Sequence, residues 1–478
     1  MIKRKYVSTQ WQGDSDYRIP SELLQWLTRN SNSFLVKGGP GTGKTTLALT
    51  LLRAANFRQN FLYVSTKGSL SQMLRDHSWL YDYLGLSKQQ TSNDRHKYFT
   101  RHGVFVDARL DEQSDLFEMI SDELMNQRSP MIIIDSWDQI SETMETEALL
   151  ANAKVLQTWC ERASGKLIFI SSAQEKTFDS MVDGIAVLRQ DYLEGRRIRE
   201  ILFTKILGIE TVRPSYYFTL DKSIFRSFDP YRLSDFNQGY EKHVRHSIAD
   251  SKEHLRPRFI PTLHRELDRV LGGGFSIGSI AIVEIGSNIN SNIVIAIFRK
   301  MLDHLMKNGN LLLCQPLRGI DSEQISQFLG SFQQNPRKSR IEVLWPNLRQ
   351  NEASAPHIPE RRPDNALEDI ASNLRKRFPE RLLVALLELP SILDQHEWND
   401  EWMNRFVRFM HGNIDLSILV ARKGSISERT NVAAETRFEL LDMRGTLFLT
   451  CNVPYSQFYA ISIEKGIEGD LIELEPMI

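Results

Sequence analysis

Nine consecutive residues, Gly38, Gly39, Pro40, Gly41, Thr42, Gly43, Lys44, Thr45 and Thr46, have the types and spacing that hold phosphate. They satisfy G-x-x-x-x-G-K-[ST] at each fixed position, Gly38, Gly43, Lys44 and Thr45. Glycines let backbone N–H groups turn inward and approach an anion with no side chain in the way. A helix starting at the loop adds the partial positive charge of its N-terminus. Lys44 is then placed to reach the β- and γ-phosphates, and the Thr45 hydroxyl to coordinate Mg²⁺. A glycine-rich turn that binds nothing is the bland alternative. Against it, the loop lies between an apolar run, SFLVK (33–37), and a helix-like stretch (45–55), the context this chemistry needs. The metal also needs an acid at the end of a neighbouring strand. MIIID (131–135) offers four apolar residues and then Asp135, which would hold Mg²⁺ through water. A strand-ending Asp alone often only caps the next helix; its pairing with the phosphate loop assigns it to the metal.

These residues need a scaffold, and the first half of the chain supplies alternating elements. FLYV (61–64), GVFVD (103–107), LIFIS (167–171) and IAVL (185–188) read as buried strands beside 33–37 and 131–135. Helix-like segments at 115–126 and 145–163 lie between them; in the latter Leu149, Leu150, Ala153, Leu156 and Trp159 recur at helical spacing. Apolar strands alternating with helices predict an α/β fold, a mostly parallel sheet covered on both faces. Two strand-like runs around Glu194-Gly195 predict a hairpin, and YYFTL (216–220) a further strand. A polar stretch without periodicity follows, read as a linker over 223–258. A second apolar series at 279–285, 310–314, 341–345, 381–389, 416–421, 446–450 and 458–463 repeats the order of the first at an offset of about 250 residues. The expectation is a tandem pair of similar α/β domains, 1–222 and 259–478. Prolines 336, 346, 356, 359 and 363 mark a surface loop within 333–364.

Composition limits the function. The chain has 478 residues, 41% hydrophobic and 25% charged, an ordinary globular balance. Lys and Arg total 59 against 60 Asp and Glu, so a surface built to coat nucleic acid is disfavoured. No apolar run reaches the ~18–20 residues of a membrane helix, and the basic start has no apolar stretch after it, so no secretory signal is expected. Three dispersed cysteines, Cys160, Cys314 and Cys451, make neither a metal pattern nor a disulfide framework, and a cytoplasmic location is expected.

The order GGPGTGKTT, YVST, VFVDAR, IIIDSW, LIFISSAQE and VDGIAVLRQDYLEGRRIREILFTK resembles the KaiC-like branch of the RecA/RadA P-loop ATPases. LDRVLGGGFSIGSIAIVEIG (267–286) is similar to that family's entry into its core domain. The opening RIPSELLQWLTRNSNSFLVKGGPGTGKTT lacks this glycine turn, a form similar to the archaeal gas-vesicle regulator D type. The resemblance implies tandem RecA-like domains, ATP and Mg²⁺ as cofactors, and homo-oligomers, with six-membered rings among the family's forms. It also implies that nucleotide state controls assembly or a protein partner, whose identity it leaves open.

The departures from the family pattern bear on mechanism. The family ends the strand after the loop's helix in paired glutamates that polarise water; here YVST is followed by Lys67-Gly68. A charged lysine has no acceptor for a proton, so hydrolysis is expected to be slow or absent unless Glu175, Asp138 or another subunit supplies the acid. Gln174 falls where such proteins place a γ-phosphate sensor; a surface loop glutamine is the plain alternative. Lys205 keeps the Lys of a K-x-R motif that reaches a neighbouring subunit's γ-phosphate, while Leu207 replaces the Arg and removes a bidentate clamp. A merely solvated strand-end lysine is the alternative there. In the second domain the loop reads GSNINSNI (286–293), with Ser291, Asn292 and Ile293 where Gly, Lys and Thr belong, and the strand equivalent to 131–135 ends in Glu388-Leu389-Pro390. That domain is expected to be a pseudo-ATPase, degenerate and kept for its shape.

Two basic runs, Arg196, Arg197 and Arg199 on the hairpin and Arg375, Lys376 and Arg377, read as solvated surface or local ion pairs. A RecA/RadA-related DNA-binding ATPase remains an alternative function and would need them on a basic inner face. A small-molecule kinase is a third reading, disfavoured by the tandem repeat.

Overall fold

The computed structural model describes residues 18–29, 31–55, 60–85, 97–100, 103–109, 113–126, 129–142, 144–172, 176, 178–231, 258–315, 340–343, 366–389, 400–424, 434–466 and 469–478. The chain divides into two compact units, Met1–Asp229 with Met477–Ile478, and Pro230–Pro476.

Unit 1 runs α1 (Ser21–Thr28), β1 (Asn32–Gly38), α2 (Lys44–Ala54), β2 (Phe61–Ser65), α3 (Leu70–Asp76), α4 (Leu80–Leu84), β3 (Lys97–Phe99), β4 (Gly103–Asp107), α5 (Gln113–Asn126), β5 (Met131–Asp135), α6 (Trp137–Ser141), α7 (Thr146–Arg162), β6 (Lys166–Ser171), β7 (Gly184–Leu193), β8 (Arg196–Ile206), β9 (Ser215–Thr219) and β10 (Arg226–Ser227). One sheet has the order β10-β9-β8-β7-β1-β6-β5-β2-β4-β3. Its centre, from β7 to β4, is parallel, and antiparallel strands flank it on both sides. The apolar strands are needed because both faces are covered. Phe34, Val36, Ile133 and Ile168 enter one core with α2, while Leu35, Ile132, Ile134 and Phe169 enter the other with α7. In α7 the stripe Leu149, Ala153, Leu156 and Cys160 is buried, as its helical spacing predicts. Truncating one such leucine to alanine typically costs about 2–5 kcal/mol. The hairpin turns at Glu194-Gly195, where both residues have positive φ (51° and 75°), the two-residue turn whose twist suits paired strands.

Unit 2 contains β11 (Phe259–Ile260), α8 (Arg265–Val270), β12 (Phe275–Ser276), β13 (Ser279–Ile285), α9 (Asn292–Lys307), β14 (Leu311–Cys314), β15 (Arg340–Val343), α10 (Ala366–Arg377), β16 (Leu383–Glu388), α11 (Asp400–Asn413), β17 (Leu416–Arg422), β18 (Thr436–Met443), β19 (Thr446–Val453), β20 (Tyr459–Gly466) and β21 (Gly469–Pro476). Its main sheet is ordered β15-β14-β16-β17-β13-β18-β19-β20-β21. Taken strand by strand in chain order, this is the unit 1 order without β3. The RecA-like α/β architecture therefore occurs twice.

Three readings change. Residues 223–229, read as the start of a linker, pack into unit 1, where Phe225 and Phe228 are buried and Arg226 and Ser227 pair with β9. Two apolar aromatics within four residues are too costly to leave in water. Residues 232–257 lie outside the described residues. Of the proline-rich stretch, 340–343 forms β15 and the rest lies outside them. Met477 and Ile478, assigned by sequence to the second domain, group with unit 1, where Met477 is buried.

Candidate functional site

The carboxyl ends of β1, β2, β5 and β6 lie side by side, because β1 pairs with β6, β6 with β5 and β5 with β2 in parallel. In open α/β sheets this end is where ligands bind. The phosphate loop leaves β1 there and enters α2 at Lys44. Gly43 takes φ 98°, a left-handed conformation that favours glycine, and a Cβ on it would also press on the movable end of the Leu220 side chain at 2.6 Å. Gly38 has a similar limit, the carbonyl of Leu188 lying 2.8 Å from where its Cβ would stand.

Inside the loop Lys44 Nζ donates to the carbonyls of Gly38 (2.6 Å) and Gly39 (2.9 Å), and Thr42 Oγ1 also donates to Gly39 (2.9 Å). Burial and the positive charge of Lys67 lower the Lys44 pKa, while Asp135 and Asp138 act in the opposite sense. Thr45 Oγ1 donates to Asp135 Oδ2 at 2.6 Å, although the two residues are ninety positions apart. A hydroxyl and a carboxylate are hard oxygen donors of the kind Mg²⁺ takes, with phosphate and water completing its shell. Thr45 and Asp135, each read from the sequence toward Mg²⁺, thus meet in a direct contact.

Thr46, the last residue of the motif, bonds elsewhere. Its hydroxyl lies 3.0 Å from His77 Nε2, and His77 Nδ1 lies 3.2 Å from the Met73 carbonyl. Burial lowers the His77 pKa. A neutral ring donating from Nδ1 leaves Nε2 to accept from Thr46.

Sequence reasoning missed two groups that hold the site. Tyr63, fully buried on β2, donates its phenol to the same Asp135 Oδ2 at 2.7 Å. Its pKa is raised well above 10 by burial, then by the Asp135 charge and hydrogen bond. Only its place in an apolar run flagged it, and that signals core. Arg199, read as part of a run of solvated or locally ion-paired arginines, is buried and donates Nη1 to the Gly41 carbonyl at 2.8 Å. Burial and then Arg197 bring its pKa down to about 10. Arg196 is buried too, 3.5 Å from Glu194 Oε2. The Arg196–Glu194 contact is one of the local ion pairs expected of this run, whereas solvated surface is the wrong description for the buried Arg199. In the other basic run, Arg375 is tied to Asp415 at 2.7 Å.

Asp138, weighed as a substitute acid, is engaged: its Oδ1 accepts from Ser171 Oγ (2.6 Å) and Ser172 N (2.9 Å), and its Oδ2 lies 3.8 Å from Lys67 Nζ. Lys205 donates to the Asp179 and Ser180 carbonyls at 3.3 and 3.5 Å. Its register, opposite Ile185, sets it three residues back from the Gly38–Leu188 pair, about 10 Å along the strand direction and two strands across from the start of its own phosphate loop. Gln174 and Glu175 lie outside the described residues.

In unit 2 the loop after β13 is held by a different cation. Arg422, at the end of β17, donates Nη1 to the carbonyls of Gly286 (3.0 Å) and Ile289 (2.6 Å). Ile289 and Ile293 are buried, and Asn290 Oδ1 accepts from Asn292 N at 2.9 Å. A guanidinium bound to this loop's carbonyls replaces the Lys44 arrangement of unit 1.

Residues 24–203 match the family described as GvpD gas vesicle protein, P-loop domain. Among curated proteins, the chain is 24% identical over 283 residues to Protein GvpD1 of Halobacterium salinarum, covering 57% of this chain and 51% of that protein. It is 23% identical over 284 residues to Protein GvpD2 of the same organism, covering 57% and 56%. The chain thus spans about half the length of the curated relatives it matches. No helix among the described residues is long and apolar enough to cross a membrane.

Proposed function

We propose, from the gas-vesicle regulator D type of P-loop domain that residues 24–203 carry, that this protein regulates gas vesicle formation through the nucleotide it holds. The observation that carries this reading is the contact between Thr45 and Asp135 at a complete phosphate loop in unit 1, whereas the unit 2 loop lacks the lysine and has its carbonyls bound by Arg422. ATP binds in unit 1, with its β- and γ-phosphates on Lys44 and the backbone N–H groups of the non-proline loop residues from Gly39 to Thr45. Mg²⁺ bound there by Thr45 and Asp135 would neutralise phosphate charge. Unit 2 binds no nucleotide.

The bound state, more than turnover, is the signal. Asp138 already accepts from two donors and faces Lys67, which makes it a poor base for water. Lys205 stands away from its own loop and is free of the Arg partner that the K-x-R pattern would add, so it serves a neighbouring copy weakly. ATP then favours homo-oligomers, six-membered rings among them, by its extra contact alone. The state of assembly is read by a protein partner. The buried positions of Arg196 and Arg199 weigh against a nucleic-acid surface.

Calorimetric titration with a non-hydrolysable ATP analogue and Mg²⁺ tests the reading. About one site per chain is expected, with strong loss in Lys44→Ala, which removes a partly buried cation from the triphosphate. Two equivalent sites, or full binding by Lys44→Ala, would refute it.

A further inference from the structure

A second cation stands just beyond the carboxyl end of β2, at the end of the sheet from which the phosphate loop leaves β1. β2 ends at Ser65, which pairs with Asp135. The chain beyond it is tied down on both sides of Lys67. Thr66 N donates to the Asp135 carbonyl (2.7 Å), Thr66 Oγ1 donates to the Ser136 carbonyl (3.0 Å), and Ser136 N donates back to Thr66 Oγ1 (2.8 Å). After Lys67, Ser65 Oγ donates to the Gly68 carbonyl (2.6 Å) and accepts from Gly68 N (3.1 Å). The backbone of Lys67 is held while its side chain, 51% exposed, ends 3.8 Å from Asp138 Oδ2. At that distance and exposure an ion pair contributes little. Asp138 does not depend on it, because Ser171 and Ser172 hold its other oxygen. Asp135, opposite which β2 ends, accepts from Thr45 of the loop, so Lys67 is anchored two residues beyond a strand end that adjoins the phosphate site.

We propose that Lys67 is a specificity-determining residue of the phosphate site: its ammonium exchanges Asp138 Oδ2 for the terminal phosphoryl oxygens of a nucleoside triphosphate, and so distinguishes tri- from diphosphate within one chain. The inference rests on the nucleotide reading above and adds to it the group that senses the terminal phosphate in cis. A diphosphate ends at the reach of Lys44 and the loop. A triphosphate brings further negative charge, which a nearby ammonium stabilises by charge-assisted hydrogen bonds. The same residue favours retention over turnover. An ammonium holds the bound phosphate but accepts no proton from water, and binding that is equal in ground and transition state does not speed a reaction.

The test is calorimetry on the full chain with Mg²⁺ at ~0.15 M salt, comparing the non-hydrolysable ATP analogue with ADP. Lys67→Met should weaken the analogue about tenfold and ADP less than about twofold. Lys67→Arg should restore most of the difference. Asp138→Asn keeps the acceptor for Ser171 and Ser172 but removes the competing charge, so it should tighten the analogue. Equal weakening of both ligands by Lys67→Met, or of neither, would overturn the proposal while leaving the nucleotide reading standing. Binding of neither ligand by the unmutated chain would overturn both.

Discussion

Removing a single oxygen atom, by Tyr63→Phe, asks how firmly Asp135 is held. The phenol is fully buried and sits 2.7 Å from Asp135 Oδ2, an oxygen that also accepts from Thr45 at 2.6 Å. Phenylalanine keeps the ring and its contact with Phe105, 5.1 Å between centroids, so little cavity results. What is lost is one hydrogen bond to a charged acceptor, typically about 1.5–3 kcal/mol. Thr45 continues to serve the carboxylate, which places the expected cost at the lower end, about 1.5–2 kcal/mol. For a domain of this size that is roughly 3–8 °C in the unit 1 transition. The pH dependence supplies a second readout. The native pKa of Tyr63 lies above its unfolded value of 10. The contribution of this group is therefore complete below pH 10 and is lost as pH rises from there toward the native pKa. The gap between the unmutated protein and Tyr63→Phe should be constant near neutrality and shrink above pH 10. Other buried tyrosines cancel in the difference. Thermal unfolding of both proteins from pH 7 to 11 measures this. A Tyr63→Phe protein as stable as the parent at pH 7, or a gap that does not shrink in alkali, would refute the reasoning.

Two further outcomes follow from the remaining residues of the site. Lys205→Ala should reduce ATP-dependent assembly while leaving nucleotide affinity of the monomer nearly intact; light scattering across a concentration series with ADP and with the ATP analogue measures it, and a strict monomer with both would refute the neighbour-facing role. Steady-state phosphate release, corrected with Lys44→Ala, should stay well below ~1 s⁻¹, the low end of ordinary enzyme turnover; a faster rate would mean that an acid other than the engaged Asp138 activates water.

The phosphate loop and Asp135 were legible as a string of residues because their chemistry is written locally: a fixed spacing of glycines, a lysine and a threonine, and an acid ending an apolar run. The doubled fold was legible for the same reason, since strands buried on both faces must be apolar throughout. β18 escaped notice because Arg437 and Glu439 interrupt its apolar run; only in the fold does Lys423 reach Glu439 and make that carboxylate affordable in the core. Arg199 looked like surface until the pairing of β8 with β7, and of β7 with β1, carried it to Gly41. Tyr63 looked like core and is also a donor to Asp135, and Lys67 became a candidate sensor only when β2 came to lie beside β5. The degenerate loop of unit 2 could be read as lacking its lysine, but not as bound by Arg422, which arrives from a strand more than a hundred residues away. Spacing along the chain determines which groups are available, whereas the pairing of strands distant in sequence decides which of them meet, since a charge or hydroxyl acquires its role from partners within a few ångströms.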